Sequence, residues 1–263
     1  MNRQQDQLFR TSLKYKHYGE KGNMELLSVL NLNQNQYLMK TGVTGNMPVE
    51  QVDSESKTLS WQNKVHYSFS LTERDELKLK MRHVYQRVNS FEEVADRGYE
   101  QNRHDLDLSV SWFHQWGKRL RSAFTLREEV VEKDFMPLAY NAGGEFHVLP
   151  DDQLYFSLSL AKNIRYPSLN DLYFQPGGNP FLEPEVSRSK EAGLVTNQMI
   201  RNLKLRLSLT AYHSMIENWI IWLPGFKGYW EPHNIREVRS SGLELNTSVA
   251  GQRGALYYKV LWN

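Results

Sequence analysis

Hydrophobic and polar residues alternate along much of this chain with a period of two. In residues 203–212 four leucines and an alanine occupy the odd positions, while polar residues such as Lys204 and Arg206 occupy even ones. The same alternation recurs at 64–71, 77–82, 105–112 and 154–161. Side chains two positions apart share one face of a strand, so each run predicts a strand with one apolar and one polar face. No segment shows a clear amphipathic helical period.

The alternation and the turn residues between runs predict twelve strands. They cover 8–18, 24–34, 57–71, 76–89, 103–115, 119–132, 141–149, 153–165, 187–198, 203–222, 235–249 and 255–263. Short turns at Gly19–Asn23, Thr72–Asp75, Trp116–Lys118, Pro150–Asp152, Met199–Asn202 and Ala250–Gly254 alternate with longer loops at 35–56, 90–102, 133–140, 166–186 and 223–234. All long loops then lie at one end of the strands, as in bacterial outer-membrane barrels, whereas Greek-key crossings would break this order. The predicted fold is all-β, an antiparallel up-and-down transmembrane β-barrel.

The turns also predict which residues face each other across the strands. A hairpin closed at Trp116–Lys118 places Asp107 opposite Arg127 on the polar face. A hairpin closed at Pro150–Asp152 places Phe146 opposite Phe156 on the apolar face. Both pairs match in polarity, as cross-strand neighbours usually do.

Composition narrows the possible functions. The chain has 263 residues, a net charge of +2 and no cysteine, and its mean hydropathy is −0.62. Near-neutral charge argues against nucleic-acid binding, and the lack of cysteine excludes thiolate metal sites and cysteine nucleophiles. Eight scattered histidines and the absence of a phosphate-binding or nucleophile-elbow motif predict no metal, no cofactor and no catalytic residue. No basic-then-apolar signal sequence follows Met1, so an exported protein would present a mature or internal segment here.

The segment 166–191 is a turn-rich, aromatic connection with four prolines, between two alternating strands. Its sequence and the strand after it carry several short motifs in one order: Tyr166–Tyr173 (YPSLNDLY), Gly177–Pro180 (GGNP), Leu182–Glu185 (LEPE), Ser187–Glu191 (SRSKE), Ala211-Tyr212, Ile216–Ile220 (IENWI), Trp230–Asn234 (WEPHN) and Gly242–Glu244 (GLE). Together these motifs resemble those of TonB-dependent outer-membrane receptors, and within that family they are most similar to the cobalamin-receptor branch. Residues 1–150 resemble the family only in architecture.

The resemblance implies a barrel of about twenty-two strands around an N-terminal plug. Residues 1–263 would then form one partial barrel domain, without the plug and without C-terminal strands. The implied function is energy-coupled uptake of a bulky, scarce nutrient across the bacterial outer membrane, with no enzymatic step. A cobalamin-like cargo is favoured over an iron-siderophore or haem. The implied partners are the TonB energy-coupling complex acting through the plug, a bulky small-molecule ligand, outer-membrane lipid and a surface lipoprotein.

Two sets of residues are candidates for the functional site. External-loop residues that could bind ligand through aromatic surface or amides are Tyr166, Asn170, Tyr173, Phe174, Gln175, Asn179, Trp222, Lys227, Tyr229 and Trp230. Polar-face residues that would line the lumen or face the plug are Arg82, Asp107, Arg127, Glu191, Arg206 and Glu244. The loop residues could instead pack the loop onto the barrel mouth, Trp222 to Trp230 could anchor in the membrane, and the polar residues could be the solvated face of a soluble sheet.

Two other functions fit parts of the pattern. A complete twelve-strand outer-membrane barrel enzyme, similar to a phospholipase, matches the strand count but needs a serine–histidine pair that the sequence does not reveal. A soluble β adhesin or binding module matches the β pattern, although no internal repeats of the kind that propellers need are visible.

Overall fold

The computed structural model describes residues 2–44, 47–94, 96–149, 153–226, 228–253 and 256–262. Within these residues it contains β1 (Asn2–Gly19), β2 (Gly22–Thr44), β3 (Met47–Thr72), β4 (Asp75–Glu92), β5 (Arg97–Trp116), β6 (Leu120–Val131), β7 (Asp134–Phe135), β8 (Ala139–Leu149), β9 (Leu154–Arg165), α1 (Leu169–Tyr173), β10 (Glu185–Ile200), β11 (Leu203–Pro224), β12 (Trp230–Arg253) and β13 (Leu256–Trp262). No helix among the described residues has the length and apolar character needed to cross a bilayer.

All strands belong to one antiparallel sheet in which each strand pairs with its neighbours in sequence. The order is β1-β2-β3-β4-β5-β6-β8-β9-β10-β11-β12-β13, and the two-residue β7 pairs with the end of β6. In the part of the chain that the structure describes, β1 pairs only with β2, and β13 pairs only with β12. The sheet is therefore an open, up-and-down meander, which confirms the predicted all-β antiparallel architecture.

Two of the predicted long loops, 35–56 and 90–102, are mostly strand. β2 and β3 remain paired as far as Thr44, and β4 and β5 remain paired as far as Glu92. These extensions lack clear alternation because a ladder that projects into water needs no apolar face. The backbone pairing of β2 with β3 and of β4 with β5 therefore extends past the residues in which apolar and polar positions alternate.

The other long connections also differ in detail from their predictions. The loop predicted at 223–234 is shorter than expected, since β11 continues to Pro224 and β12 begins at Trp230. The connection after β9 comprises residues 166–184, two residues fewer than the predicted loop 166–186, and contains α1. The turn predicted at Pro150–Asp152 lies outside the described residues.

The predicted register between β5 and β6 is wrong by two residues, whereas the predicted pairing of Phe146 with Phe156 between β8 and β9 is correct. Asp107 faces Glu129 rather than Arg127, because the turn after β5 comprises 117–119, one residue later than predicted. Gly117 takes φ 67 at the first position of this turn, a backbone region that favours glycine. Phe146 does face Phe156 as predicted. A shift of two residues keeps every side chain on its predicted face.

The two faces of the sheet are reversed relative to those of a soluble protein. The apolar face is uncovered: Val110 is 48% and Leu158 is 66% exposed. Buried carboxyl groups lie on the polar side instead: Asp107 on β5, Asp171 in α1 and Glu185 at the start of β10. An apolar outer surface around a polar interior is the arrangement of a barrel whose strands face lipid.

Candidate functional site

The connection between β9 and β10, residues 166–184, folds back onto the polar face of the sheet. α1 begins with a capping box, in which the Asp171 backbone N–H donates to Ser168 Oγ (3.1 Å) and the Ser168 N–H donates to Asp171 Oδ2 (3.0 Å). The Ser168 hydroxyl also donates to Asp171 Oδ2 at 2.7 Å. Such reciprocal bonds satisfy backbone donors that a helix start leaves free. They hold Ser168 and Asp171 together at the start of α1.

A small apolar cluster holds the loop against β11. Leu172 and Leu182 from the loop pack on Ile220, and all three are buried, with Tyr166 and Tyr173 packed at the edge of this cluster. Burial raises the pKa of the Tyr166 phenol, so that group stays protonated near neutral pH.

A second apolar cluster lies beside the start of the loop. It consists of Val131, Met136, Ala139 and Ile164, again with Tyr166 packed against it. The Tyr166 ring therefore touches both clusters and joins the loop to β6 as well as to β11.

Polar contacts fix both ends of the loop. At its start, Arg103 on β5 donates to the carbonyl oxygen of the fully buried Pro167 at 2.7 Å. At its end, the buried Glu185 carboxylate accepts from Arg165 (2.7 Å) and from the backbone N–H of Ile220 (2.8 Å). Each end is thus bonded to a strand on another part of the sheet.

The middle of the loop is bonded to the β11–β12 hairpin. Asn179 Nδ2 donates to the carbonyl oxygen of the buried Pro232 at 3.2 Å. The Asn234 side chain donates to the Glu183 carbonyl (3.0 Å) and accepts from the Glu183 N–H (2.8 Å). Gly177 lies so near the hairpin that a Cβ there would collide with the carbonyl oxygen of Trp230. This close approach and its φ of 120° restrict the position to glycine.

Between this loop and the extensions of β2 to β5 lies a concave site of about 330 Å³, here called the mouth site. Its lining residues from the loop are Asn170, Phe174 and Gln175, and those from the strands include Tyr37, Ser54, Ser56, Ser90, Arg97 and Tyr99. Aromatic rings, hydroxyls and amides predominate, and Arg97 and Glu92 bring one charge of each sign. Such a lining suits a largely uncharged ligand with both apolar surface and hydrogen-bonding groups.

The predicted ligand residues fall into two groups in the structure. Asn170, Phe174 and Gln175 line the mouth site. Four others make contacts that hold the loop: Tyr166 and Tyr173 pack on the apolar clusters, Asn179 bonds to Pro232, and Trp222 Nε1 donates to Asp171 at 2.9 Å.

The remaining candidates belong to the β11–β12 hairpin. Tyr229 is half-buried close to Gly177, while Trp230 is 58% exposed. Lys227 lies outside the described residues. The side chains of Tyr229 and Trp230 do not line the mouth site.

The predicted lumen residues lie along the polar face of the sheet. Arg82 forms an ion pair with the buried Asp107, and Arg127 borders the same depression of the sheet. Glu191, Arg206 and Glu244 are exposed. Across the strands, Glu191 faces Ser159 and Tyr212, Arg206 faces Asn197 and Ser248, and Glu244 faces Thr210.

Sequence reasoning missed the strand side of the mouth site. Tyr37 and Arg97 lie in segments that lacked strand alternation, so nothing in the pattern assigned them to a face of the sheet. Tyr99, which lines the site, also has its ring 6.5 Å from that of Tyr173 in the loop. The sequence offered one signal for this contact: Tyr99 and Tyr173 lie in two predicted long loops, 90–102 and 166–186, at the same end of the strands.

Among the described residues, no group of three or more histidine, aspartate or glutamate side chains is arranged to hold a metal ion. The side chains of the mouth site can bind and orient a molecule through apolar contact and hydrogen bonds. The mouth site is therefore suited to ligand binding.

Comparison with known proteins identifies the family. Residues 115–263, more than half of the chain, match the family described as TonB dependent receptor-like, beta-barrel. The chain belongs to this TonB-dependent receptor family. The receptor is 34% identical over 99 residues to the vitamin B12 transporter BtuB of Vibrio vulnificus and 33% identical over 129 residues to that of Photobacterium profundum. These matches cover 37% and 48% of the chain, but only 16% and 19% of the two transporters.

A solved structure with the same fold is the siderophore receptor PirA from Pseudomonas aeruginosa. It superposes with a TM-score of 0.72 at 14% identity, over 98% of this chain and 51% of that one. The receptor therefore has the strand arrangement of this barrel family and spans about half the length of the solved protein. The family assignment confirms the resemblance drawn from the motifs in 166–245.

Family membership also assigns a cellular location. The receptor is an outer-membrane protein of Gram-negative bacteria, which agrees with the uncovered apolar face of its sheet. This location decides against the soluble adhesin interpretation. The family consists of transporters and receptors rather than enzymes.

Proposed function

We propose that this receptor takes up a bulky, scarce nutrient and that its cargo is a cobalamin-like corrinoid. The mouth site is the observation that carries the proposal. It lies on the polar face of the sheet at the end where the long connections cluster, which is the external end of a barrel of this kind. Its loop wall is fixed by bonds to three other strands, so the site is preformed.

The chemistry of the mouth site favours a corrinoid. Cobalamin is a large, flat molecule bordered by amides, and hydroxyls, amides and aromatic rings can bind such a surface without a strong charge. Many ferric siderophores and haem carry acidic groups and would favour a more basic lining. The similarity to two vitamin B12 transporters supports the same choice. A volume of about 330 Å³ would hold one part of such a cargo.

The same proposal includes energy-coupled release of the cargo. Residues 1–263 would form one partial barrel domain, a plug domain would fill the lumen, and the TonB energy-coupling complex would act on that plug. The polar face with Arg82, Asp107 and Arg127 would face the plug and the cargo path. A surface lipoprotein is a further proposed partner at the external end, and outer-membrane lipid contacts the apolar face.

An equilibrium binding experiment tests the cargo. The protein is produced in outer membranes of a Gram-negative host that lacks its own cobalamin receptor, and cyanocobalamin binding is measured with ferric hydroxamate siderophore, ferric catecholate siderophore and haem as competitors. Saturable cyanocobalamin binding that none of the competitors displaces is expected. Displacement by a siderophore or haem, or no cyanocobalamin binding, would remove the corrinoid assignment.

A further inference from the structure

Asp171 does more than cap α1. Its Oδ2 atom accepts both bonds from Ser168, while its Oδ1 atom accepts from the Trp222 indole at 2.9 Å. Trp222 comes from β11, 51 residues further along the chain. Arg165 adds a charge nearby, with its guanidinium 3.6 Å from Oδ2. The capping box engages only the Oδ2 atom of Asp171, so Oδ1 is available to fix a side chain on another element.

Trp222 connects this carboxylate to the mouth site. Its ring meets the Phe174 ring edge-on, with centroids 5.8 Å apart and an angle of 80° between the planes. Phe174 is the C-cap residue of α1 and lines the mouth site. Asp171 therefore acts on Phe174 from two sides, through the helix that it caps and through the indole that it holds.

We propose that Asp171 is a positioning residue of the mouth site, holding Trp222 so that Phe174 is presented to the cargo in a preformed orientation. Asp171 itself is buried, with 6% of its surface exposed, and is not among the lining residues of the site. Preorganisation strengthens binding because a side chain that is already ordered loses less freedom when the ligand arrives. The inference rests on the proposed function for its effect on cargo binding.

Cyanocobalamin affinity tests the connection between the two residues. Asp171→Ala removes the acceptor, whereas Trp222→Phe removes the indole donor and keeps an aromatic ring. Each change should weaken binding about tenfold, and Trp222→Phe should have no further effect in the Asp171→Ala background. Ser168→Ala is the matched control, because it disturbs the cap and leaves the Asp171–Trp222 bond in place. If the two losses simply add, or if Ser168→Ala costs as much as Asp171→Ala, the proposal is overturned.

A second measurement does not depend on cargo. The protein is labelled with 5-fluorotryptophan, and the ¹⁹F resonance of Trp222 is identified by its loss in Trp222→Phe. That resonance should move in Asp171→Ala and stay in place in Phe181→Ala, an exposed position of the same loop. An unmoved resonance in Asp171→Ala would refute the positioning role. A moved resonance in a protein that binds no cyanocobalamin would uphold that role and reject only the corrinoid assignment.

Discussion

Glu185 offers a sharp test of how the loop is held on the sheet. The β10–β11 ladder has its final pair at Val186 and Glu217, so no ladder carbonyl of β10 is paired with the backbone N–H of Ile220. The Glu185 carboxylate accepts from that N–H instead, at 2.8 Å, and it also pairs with Arg165. Ile220 is buried, and removal of the carboxylate would leave its N–H without an acceptor.

The size of the effect follows from these two contacts. A buried donor left unsatisfied costs about 1–3 kcal/mol. Arg165 has a side chain that is 54% exposed, so its ion pair adds only about 0–1 kcal/mol after solvent screening. Glu185→Ala should therefore destabilise the attached loop by roughly 1–4 kcal/mol. Glu185→Gln keeps an oxygen that can accept from Ile220 and should lose only about 1 kcal/mol or less.

Backbone hydrogen exchange measured by mass spectrometry reports this local stability. The amides of Gly178 and Asn179 donate within the loop, at 2.6 and 2.9 Å. In Glu185→Ala their exchange should accelerate at least about fivefold, since 1.4 kcal/mol corresponds to a factor of ten, while the β4–β5 ladder serves as an internal control. Equal acceleration in Glu185→Gln would show that charge matters more than the Ile220 bond. Unchanged exchange in Glu185→Ala would refute the anchoring role altogether.

Two further substitutions test the loop and its contacts with the hairpin. Ser168→Ala removes the N-cap of α1 and should cost about 1 kcal/mol, read as faster exchange confined to residues 169–174; uniform change across the sheet would contradict a local cap. Gly177→Ala should displace the loop, because a Cβ would meet the Trp230 carbonyl and φ is 120°, and cyanocobalamin affinity should fall at least about tenfold. Wild-type affinity in Gly177→Ala would show that the close approach is not needed.

The membrane-spanning part of the fold could be predicted from the sequence because lipid imposes a strict pattern. Residues on one face of each strand must be apolar, and runs such as 203–212 and 154–161 therefore alternate. Outside the lipid this requirement disappears, so the extensions of β2 and β3 read as a loop. The two-residue error at β5–β6 arose because Gly117 belongs to the turn while Trp116 still pairs with Leu120, a difference of one residue that the pattern cannot reveal.

The candidate site could be predicted only in part. The loop was identifiable from its prolines, aromatic residues and family motifs, and three of its predicted residues line the mouth site. Its contacts with the rest of the sheet could not be read from the sequence. Asp171 meets Trp222 from 51 positions away, and Arg103 reaches Pro167 from 64 positions away. Such pairs depend on how loop and strands fold over one another.

Cargo binding by two phenylalanine variants tests the central claim most directly. Phe174 lines the mouth site, whereas Phe181 lies in the same loop, is 89% exposed and is absent from the lining. If the mouth site binds a corrinoid, Phe174→Ala should weaken cyanocobalamin binding about tenfold or more, as expected for loss of an aromatic contact with the ligand, and Phe181→Ala should leave it within about twofold. Equal effects of the two substitutions, or unchanged affinity in Phe174→Ala, would contradict the assignment of the mouth site as the cargo site.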